Sequence, residues 1–506
     1  MTKKHHVNFY CLLMIAFIVG GAIYASIADA SPSPLVTKQT SVSSRFATYL
    51  GGGDVDDCDG IAVDAAGYVY LACHSNSKEF PGQNGRKDSN DIDAYVAKLD
   101  PRTGRLVYTT RLGGNGFDVA SAVEVAKDGS VIVSGVTTSS DFPATDDAIQ
   151  RTFGGDMDSF VAKLNPDGAI VYSTYLGGSD KDVVRGMAVD GQERIYLAGI
   201  TLSKNFPGVR RLDLSKNDEK GDAFIASWSL REKGELSYAL LGGRSLDEIR
   251  GIALDQSGNI YASGVTNSAE FPVKSARPDK QDKLKGNSDA FLLKLRKADF
   301  SLSYSILVGG SDEETGSGLA VDRAGNAYLT GSTRSADFPV TDKTFQPKYA
   351  GGQDAYVVKV SHDGSRLLYS TYIGGTGEDS AGMLGKVLAL DAKGNIWVAG
   401  LTKSRDFPIQ AGMQTAYGGG ELDSFVFAFD PSGSQLKFSS YYGGEALDNI
   451  EGIALAADGS VWGSGLTSSR NIPTVNALQN NYGGGQFDAL IINLYSPALT
   501  NGRSKK

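Results

Sequence analysis

The sequence predicts an all-β fold: a seven-bladed β-propeller of four-stranded blades, its ring closed by the N-terminal strand completing the last blade. Three observations carry this prediction. A signature ending in Gly-Gly recurs seven times, as Tyr49–Gly52, Arg111–Gly114, Tyr175–Gly178, Leu240–Gly243, Leu307–Gly310, Tyr372–Gly375 and Tyr441–Gly444, with second glycines 62, 64, 65, 67, 65 and 69 residues apart. A proline in "DFP" or a variant marks every unit, at Pro81, Pro143, Pro207, Pro272, Pro339, Pro408 and Pro473. The two ends complement each other: the first unit opens with only RFATYL (Arg45–Leu50), and the last stops after FDALIINLY (Phe487–Tyr495) without such a strand. A ring closed in this way leaves no open sheet edge to recruit other chains.

Each unit holds four strand-like segments. In the third they are GMAVD (Gly186–Asp190), RIYLAGIT (Arg194–Thr201), DAFIASWSL (Asp222–Leu230) and LSYALL (Leu236–Leu241). Short Gly-containing turns such as Asn165–Gly168 and Ala392–Asn395 join the hairpins, as tight β-turns require. Segments such as Tyr356–Val360 and Ser424–Phe429 are apolar on both faces, the pattern of a sheet packed between two neighbours. A β-helix repeats with a much shorter period, and independent units of about 65 residues would each need a core of their own.

The run GLAVDRAGNAYLTGSTRSADFP (Gly318–Pro339), followed by DAYVVKV and LLYSTYIGG, resembles the bacterial β-propeller repeat (SBBP). The resemblance extends from Arg45 to about Tyr495. It implies a seven-bladed ring in which the first strand of each unit lines a central channel, and it says almost nothing about function.

The N-terminus reads as a targeting segment. Lys3 and Lys4 precede the apolar run Cys11–Ala28 and an Ala28-Asp29-Ala30 cleavage motif, the layout of a secretory signal peptide; an uncleaved anchor is the alternative. The expected organisation is residues 1–30 signal peptide, 31–44 flexible linker, 45–497 propeller and 498–506 a polar, basic tail, with no membrane span once the signal is removed. Acidic residues outnumber basic ones 58 to 49, which argues against a nucleic-acid partner.

Two sets of acids recur in all seven units: Asp56, Asp118, Asp182, Asp247, Glu314, Asp379 and Asp448 four residues after each second glycine, and Asp93, Asp158, Asp222, Asp289, Asp354, Asp423 and Asp488 before each third strand. A residue that every blade needs solves a problem that every blade has, here the backbone N–H groups of a tight loop. The functional alternative is a cation-binding ring at the channel rim.

Departures from the repeat carry more information. In DVDDCDG (Asp54–Gly60), Val55 stands where an EF-hand loop places its first Asp, so calcium on Asp54, Asp56, Asp57 and Asp59 would bind irregularly; no other cofactor is expected. Cys58 and Cys73 flank the first hairpin and read as a disulfide in an oxidising compartment. The alternatives are free thiols, or a metal site on these cysteines with His74 and an Asp. The long connections of blades three and four carry Arg210, Arg211, Lys216, Lys220, Lys274, Arg277, Lys280, Lys283 and Lys285. These form either a solvated loop surface or a patch for a protein or anionic polysaccharide partner. Blade six inserts residues at Ser380–Asp391 that would narrow the channel.

No GxSxG, HExxH or P-loop occurs. The sequence is read as an exported, non-catalytic binding or scaffold module of the periplasm or cell surface. A polysaccharide lyase or hydrolase using carboxylates near the channel is the alternative.

Overall fold

The computed structural model describes residues 42–83, 91–215, 220–232, 234–278, 281–382 and 385–496. The expected signal peptide and C-terminal tail, most of the linker, and Lys216 and Lys280 lie outside them. The described residues form seven antiparallel sheets, one per unit, arranged as a β-propeller. Blade three shows the common plan: Asp182–Val189 lines the channel, followed outward by Arg194–Thr201, Asp222–Ser229 and Ser237–Leu241. The ring closes as the two chain ends require: Ser43–Leu50 pairs antiparallel with Asp488–Tyr495, bringing Ala47 opposite Ile492.

The repeat signatures have direct physical causes. The tyrosine of the Gly-Gly signature is buried, and its hydroxyl donates to a loop carbonyl of its own blade, Tyr175 to Ser139 at 2.9 Å and Tyr372 to Ser335 at 2.8 Å. The phenylalanine of DFP packs on the third strand, Phe142 lying 4.5 Å from Phe160 between ring centroids. Glycine is required in the pair because the backbone passes between carboxylates. A Cβ on Gly177 would collide with Asp158 Oδ1 and lie 2.9 Å from Asp182 Oδ2, and one on Gly178 would sit 2.6 Å from the Ser203 Cβ.

Two features differ from the sequence reading. The channel strand starts four residues earlier than expected, at the recurrent acid, because a bulge at the residue before the conserved glycine interrupts its alternation; in blade three that residue is Arg185. A bulge adds one residue and re-aims the side chains beside it. The long connection of blade three is not a plain loop: Val209–Leu214 forms a fifth strand, parallel to Ser237–Leu241, along the outer edge.

Candidate functional site at the channel mouth

The first recurrent acid is a structural clamp. Asp182 accepts hydrogen bonds from the Gly178 N–H at 2.6 Å, from Ser203 Oγ at 2.7 Å and from the Thr201 hydroxyl. Asp56 repeats the arrangement with the Gly52 N–H, Ser75 and Ser77, and Asp379 with the Gly375 N–H, Thr402 and Ser404. All seven acids of this set are fully buried, beneath the rim rather than on it. The second set is buried too: Asp354 accepts from the Ala350 N–H at 2.8 Å and from Gln346 at 3.1 Å.

The channel encloses about 590 Å³. Arg185 and Arg250 line it, whereas Asp57, Asp59, Glu248, Asn449 and Glu451 do not; all belong to the bulge, where the residue after the recurrent acid and the bulge residue itself differ from blade to blade. Blade one contributes Asp57 and Asp59, blade seven Asn449 and Glu451, blade three Arg185, and blade four Glu248 and Arg250. On the side of blades three and four, Glu248 bridges Arg185 at 2.7 Å and Arg250 at 3.0 Å. Burial would raise its pKa, but the two guanidiniums override this and hold it near 2. On the opposite side Asp57, Asp59 and Glu451 are 5%, 1% and 7% exposed. Burial pushes Asp57 and Asp59 well above the usual carboxylate range, with the charge of Glu451 adding to the rise in both and that of Asp57 adding to the rise in Asp59. Burial also raises Glu451. His74, paired with Asp57 in register, faces the cluster, and burial lowers its pKa to about 4.

Cys58 and Cys73 form a disulfide across this bulge. In the other six blades the residue matching Cys73 is glycine (Gly135, Gly199, Gly264, Gly331, Gly400 and Gly465), where a Cβ would clash with a carbonyl oxygen of the channel strand. Blade one alone accommodates a side chain there, and joins it covalently to Cys58.

Of the four predicted calcium ligands the structure brings together only Asp57 and Asp59. Asp56 belongs to the clamp, and Asp54 is exposed. Sequence reasoning missed Asn449, Glu451, Arg185, Glu248 and Arg250 as members of the site. Their signal is the column of residues after each recurrent acid: DDCD, DVAS, DVVR, DEIR, ETGS, DSAG and DNIE.

The blade-six insertion does narrow the channel. It splits the inner strand into Asp379–Ser380 and Leu388–Leu390. The Lys386 ammonium reaches Glu124 of blade two at 3.3 Å, and the Lys386 carbonyl accepts the Ile453 N–H at 2.8 Å.

The predicted basic patch is divided. Arg211 ion-pairs with Glu235 at 3.1 Å and donates to Ser237 Oγ, while Arg210 bonds Asp213 and Tyr238. Because their strand starts beside Ser237, both sit toward the hairpin end of blade three rather than among the long loops. Exposed Lys220, Lys283 and Lys285 remain at the long-loop end, the Lys285 N–H capping Asp289. Lys274 donates to the Leu302 carbonyl at 2.7 Å. Arg277 is not a surface ligand: it is 3% exposed and donates to the Leu307 carbonyl at 2.9 Å, tying the connection of blade four to its outer strand. Arg211 instead joins Arg194, Arg296 and Lys297 around a recess of about 850 Å³ between blades three and four, with Ser227, Ser237 and Asn259 also in its wall.

A closed ring of seven sheets around a channel, each built on four antiparallel strand positions, defines the class, a β-propeller. Residues 45–81, 171–207, 239–272 and 304–339 match the model of the β-propeller repeat, SBBP. Those four segments carry that repeat. It is 25% identical over 316 residues to the regulatory protein FlaEY of Caulobacter vibrioides, a match that takes in 59% of this chain and 32% of that protein, so the chain spans about a third of this relative's length. Solved structures similar to it include a protein of unknown function from Dyadobacter fermentans, at 10% identity and TM-score 0.42 over 90% of this chain and 99% of that one. Another is BamB from Moraxella catarrhalis, at 12% identity and TM-score 0.38 over 90% and 100%. Among the described residues no helix is long and apolar enough to cross a membrane.

Proposed function

We propose that the protein is an exported, non-catalytic binding module whose partner is an anionic polymer of the acidic-polysaccharide class, held at the recess between blades three and four. The observation that carries this reading is the recess itself, with four cationic side chains in its wall on a chain of formal charge −9. Arg211, Arg296 and Lys297 are held by Glu235, Asp299 and Asp190, and Arg194 donates to the Ser227 hydroxyl at 3.2 Å. The cations are thus fixed in place with a small positive excess. A polymer that spreads its charge over many sugars suits such a surface. Export is supported by the charged and apolar N-terminal sequence ending in Ala28-Asp29-Ala30 and by the Cys58–Cys73 disulfide. The non-catalytic reading is supported by the burial of Asp57, Asp59 and Glu451, which a sugar in the channel would not reach.

The test is binding of immobilised protein to polygalacturonate and alginate, with dextran as the neutral control, in wild type and in Arg194→Glu/Arg211→Glu. The expected result is saturable binding to the acidic polymers, weakened by salt with a screening length of about 10 Å at 0.1 M and reduced about tenfold or more by the double variant. Binding untouched by the charge reversals would overturn the assignment of the recess, and release of new reducing ends or unsaturated products would overturn the non-catalytic reading. Intact mass of the mature protein starting at Ser31 would verify export processing.

A further inference from the structure

The geometry points to a binding site for one divalent transition-metal cation, of the Zn²⁺ or Mn²⁺ class, formed by Asp57, Asp59, His74 and Glu451 where blades one and seven meet at the channel.

The first argument is polar satisfaction. Asp57 Oδ1, Asp59 Oδ2, His74 Nδ1, Glu451 Oε2 and Asn449 Oδ1 are all buried without a hydrogen-bond partner, in residues no more than 9% exposed. Buried polar atoms are ordinarily paired, and a group of unpaired ones calls for an explanation. Asp57 and Asp59 each interact with the Glu451 carboxyl at hydrogen-bonding range, so the acids alone would be explained by shared protons. His74 is different: its Nε2 lies 4.0 Å from Asp57 Oδ2 and its Nδ1 4.0 Å from Asp59 Oδ1. These separations are too long for hydrogen bonds; an ion between the acids would take one of the two ring nitrogens, and Nδ1 is the one left without a partner. Donor atoms of Asp57, Asp59 and His74 all lie within 4.8 Å of one another.

Charge is the second argument. At the level of the bulge, Asp57, Asp59, Glu451 and Glu248 face Arg185 and Arg250. With the carboxyls ionised, four negative charges meet two positive ones, and a single divalent cation balances the remainder. Lys386 and Glu124, the nearby pair across the channel, neutralise each other.

The donor set selects the metal. Calcium takes six to eight oxygen ligands, whereas an imidazole nitrogen beside carboxylates suits a first-row divalent ion. The Cys58–Cys73 disulfide removes both thiolates from the site while fixing the bulge between Asp57 and Asp59. Asn449 Nδ2 donates to Glu451 Oε1 at 2.7 Å, which positions Glu451 with Oε2 unpartnered. The blade-six insertion passes close beside the cluster: a Cβ on Gly385 would come within 2.8 Å of the Asp59 carbonyl oxygen and 2.5 Å of that of Glu451. The proposal is independent of the polysaccharide reading, because neither Arg194 nor Arg211 takes part in it.

The test uses tag-free full-length protein, chelator-treated and dialysed, then titrated calorimetrically with ZnCl₂, MnCl₂ and CaCl₂ in parallel. The expected result is one saturating equivalent of Zn²⁺ or Mn²⁺, bound more tightly than Ca²⁺, with a rise in melting temperature. Glu451→Gln and His74→Gln should weaken that binding about 100-fold, by analogy with the loss of ligand-shell groups elsewhere. Circular dichroism and melting of both variants in chelator separate loss of metal from loss of fold. Co²⁺ added to the metal-free protein should give a visible absorption band that His74→Gln shifts or removes, a readout that a purely structural histidine would not move. The proposal is overturned by the absence of a saturable equivalent in folded wild-type protein, by tighter binding of Ca²⁺, or by unchanged affinity in folded Glu451→Gln and His74→Gln.

Discussion

Blade three and blade one contain almost the same acidic turn, yet their carboxylates have different work. In blade three Asp182 has three donors pointed at it, and the bulge residue that follows is Arg185, bonded to Glu248 of the next blade. In blade one Asp56 holds the same clamp, but the next two inward side chains are again acids, Asp57 and Asp59, facing Glu451 of blade seven with no donor supplied for their outer oxygens. The clamp acids are held by backbone and hydroxyl donors, whereas Asp57, Asp59 and Glu451, which do not recur in every blade, each keep a buried oxygen without such a donor. The difference is visible only because the ring supplies its own internal controls.

The comparison breaks most sharply at the clamp. Asp182→Ala would leave the Gly178 N–H and the hydroxyls of Thr201 and Ser203 without their acceptor. A loss of about 3–5 kcal/mol is expected in guanidinium unfolding, at about 1–3 kcal/mol per orphaned buried group. An unchanged midpoint would show that the recurrent acids are not structural. Next in size is the disulfide, which joins cysteines 15 residues apart. Its reduction should cost about 3 kcal/mol, read as a lower midpoint in dithiothreitol. Cys58→Ala with Cys73→Gly, which gives blade one the glycine of the other six, should recover part of that loss.

A third expected effect is on pH. Asp158, Asp354, Asp423 and Asp488 are raised to about 7, chiefly by burial and also by the neighbouring clamp acids. Each therefore retains a proton in the folded chain at pH values where the unfolded chain, with a pKa of about 3.9, has lost it. Their contribution to stability is complete below about pH 4 and is lost as pH rises to about 7. Asp354→Asn should flatten about a quarter of that slope. A midpoint that these four groups leave level between pH 4 and 7 in both proteins would argue that they are ionised throughout.

The fold was legible because its determinants repeat. Seven Gly-Gly signatures, seven prolines and two incomplete ends sufficed for the blade count and the closure, and the structure differs mainly where one residue breaks the pattern, at the bulge. The pairing of Cys58 with Cys73 was legible for the same reason, since a short hairpin leaves the two strands adjacent. The site was only half legible. Asp57 and Asp59 attract notice as a local acidic run, but Glu451 and Asn449 lie almost 400 residues away in sequence and become neighbours only when blade seven meets blade one. The two basic connections were read by charge without topology: that of blade three pairs as an edge strand, and that of blade four is pinned by buried Arg277.

Ring closure also sets the order in which the molecule can assemble. Ala47 finds Ile492 only after everything between them has been made. The first strand of the ring is therefore among the last to be paired, and this ladder joins the two most distant strands of the propeller in sequence. Such long-range pairing is slow, because a very large loop must close before any contact rewards it. Until Asp488–Tyr495 is in place, blade seven has an open edge and Ser43–Leu50 lacks its ladder. Removing Asp488–Tyr495 would thus unmake both ends of the ring at once.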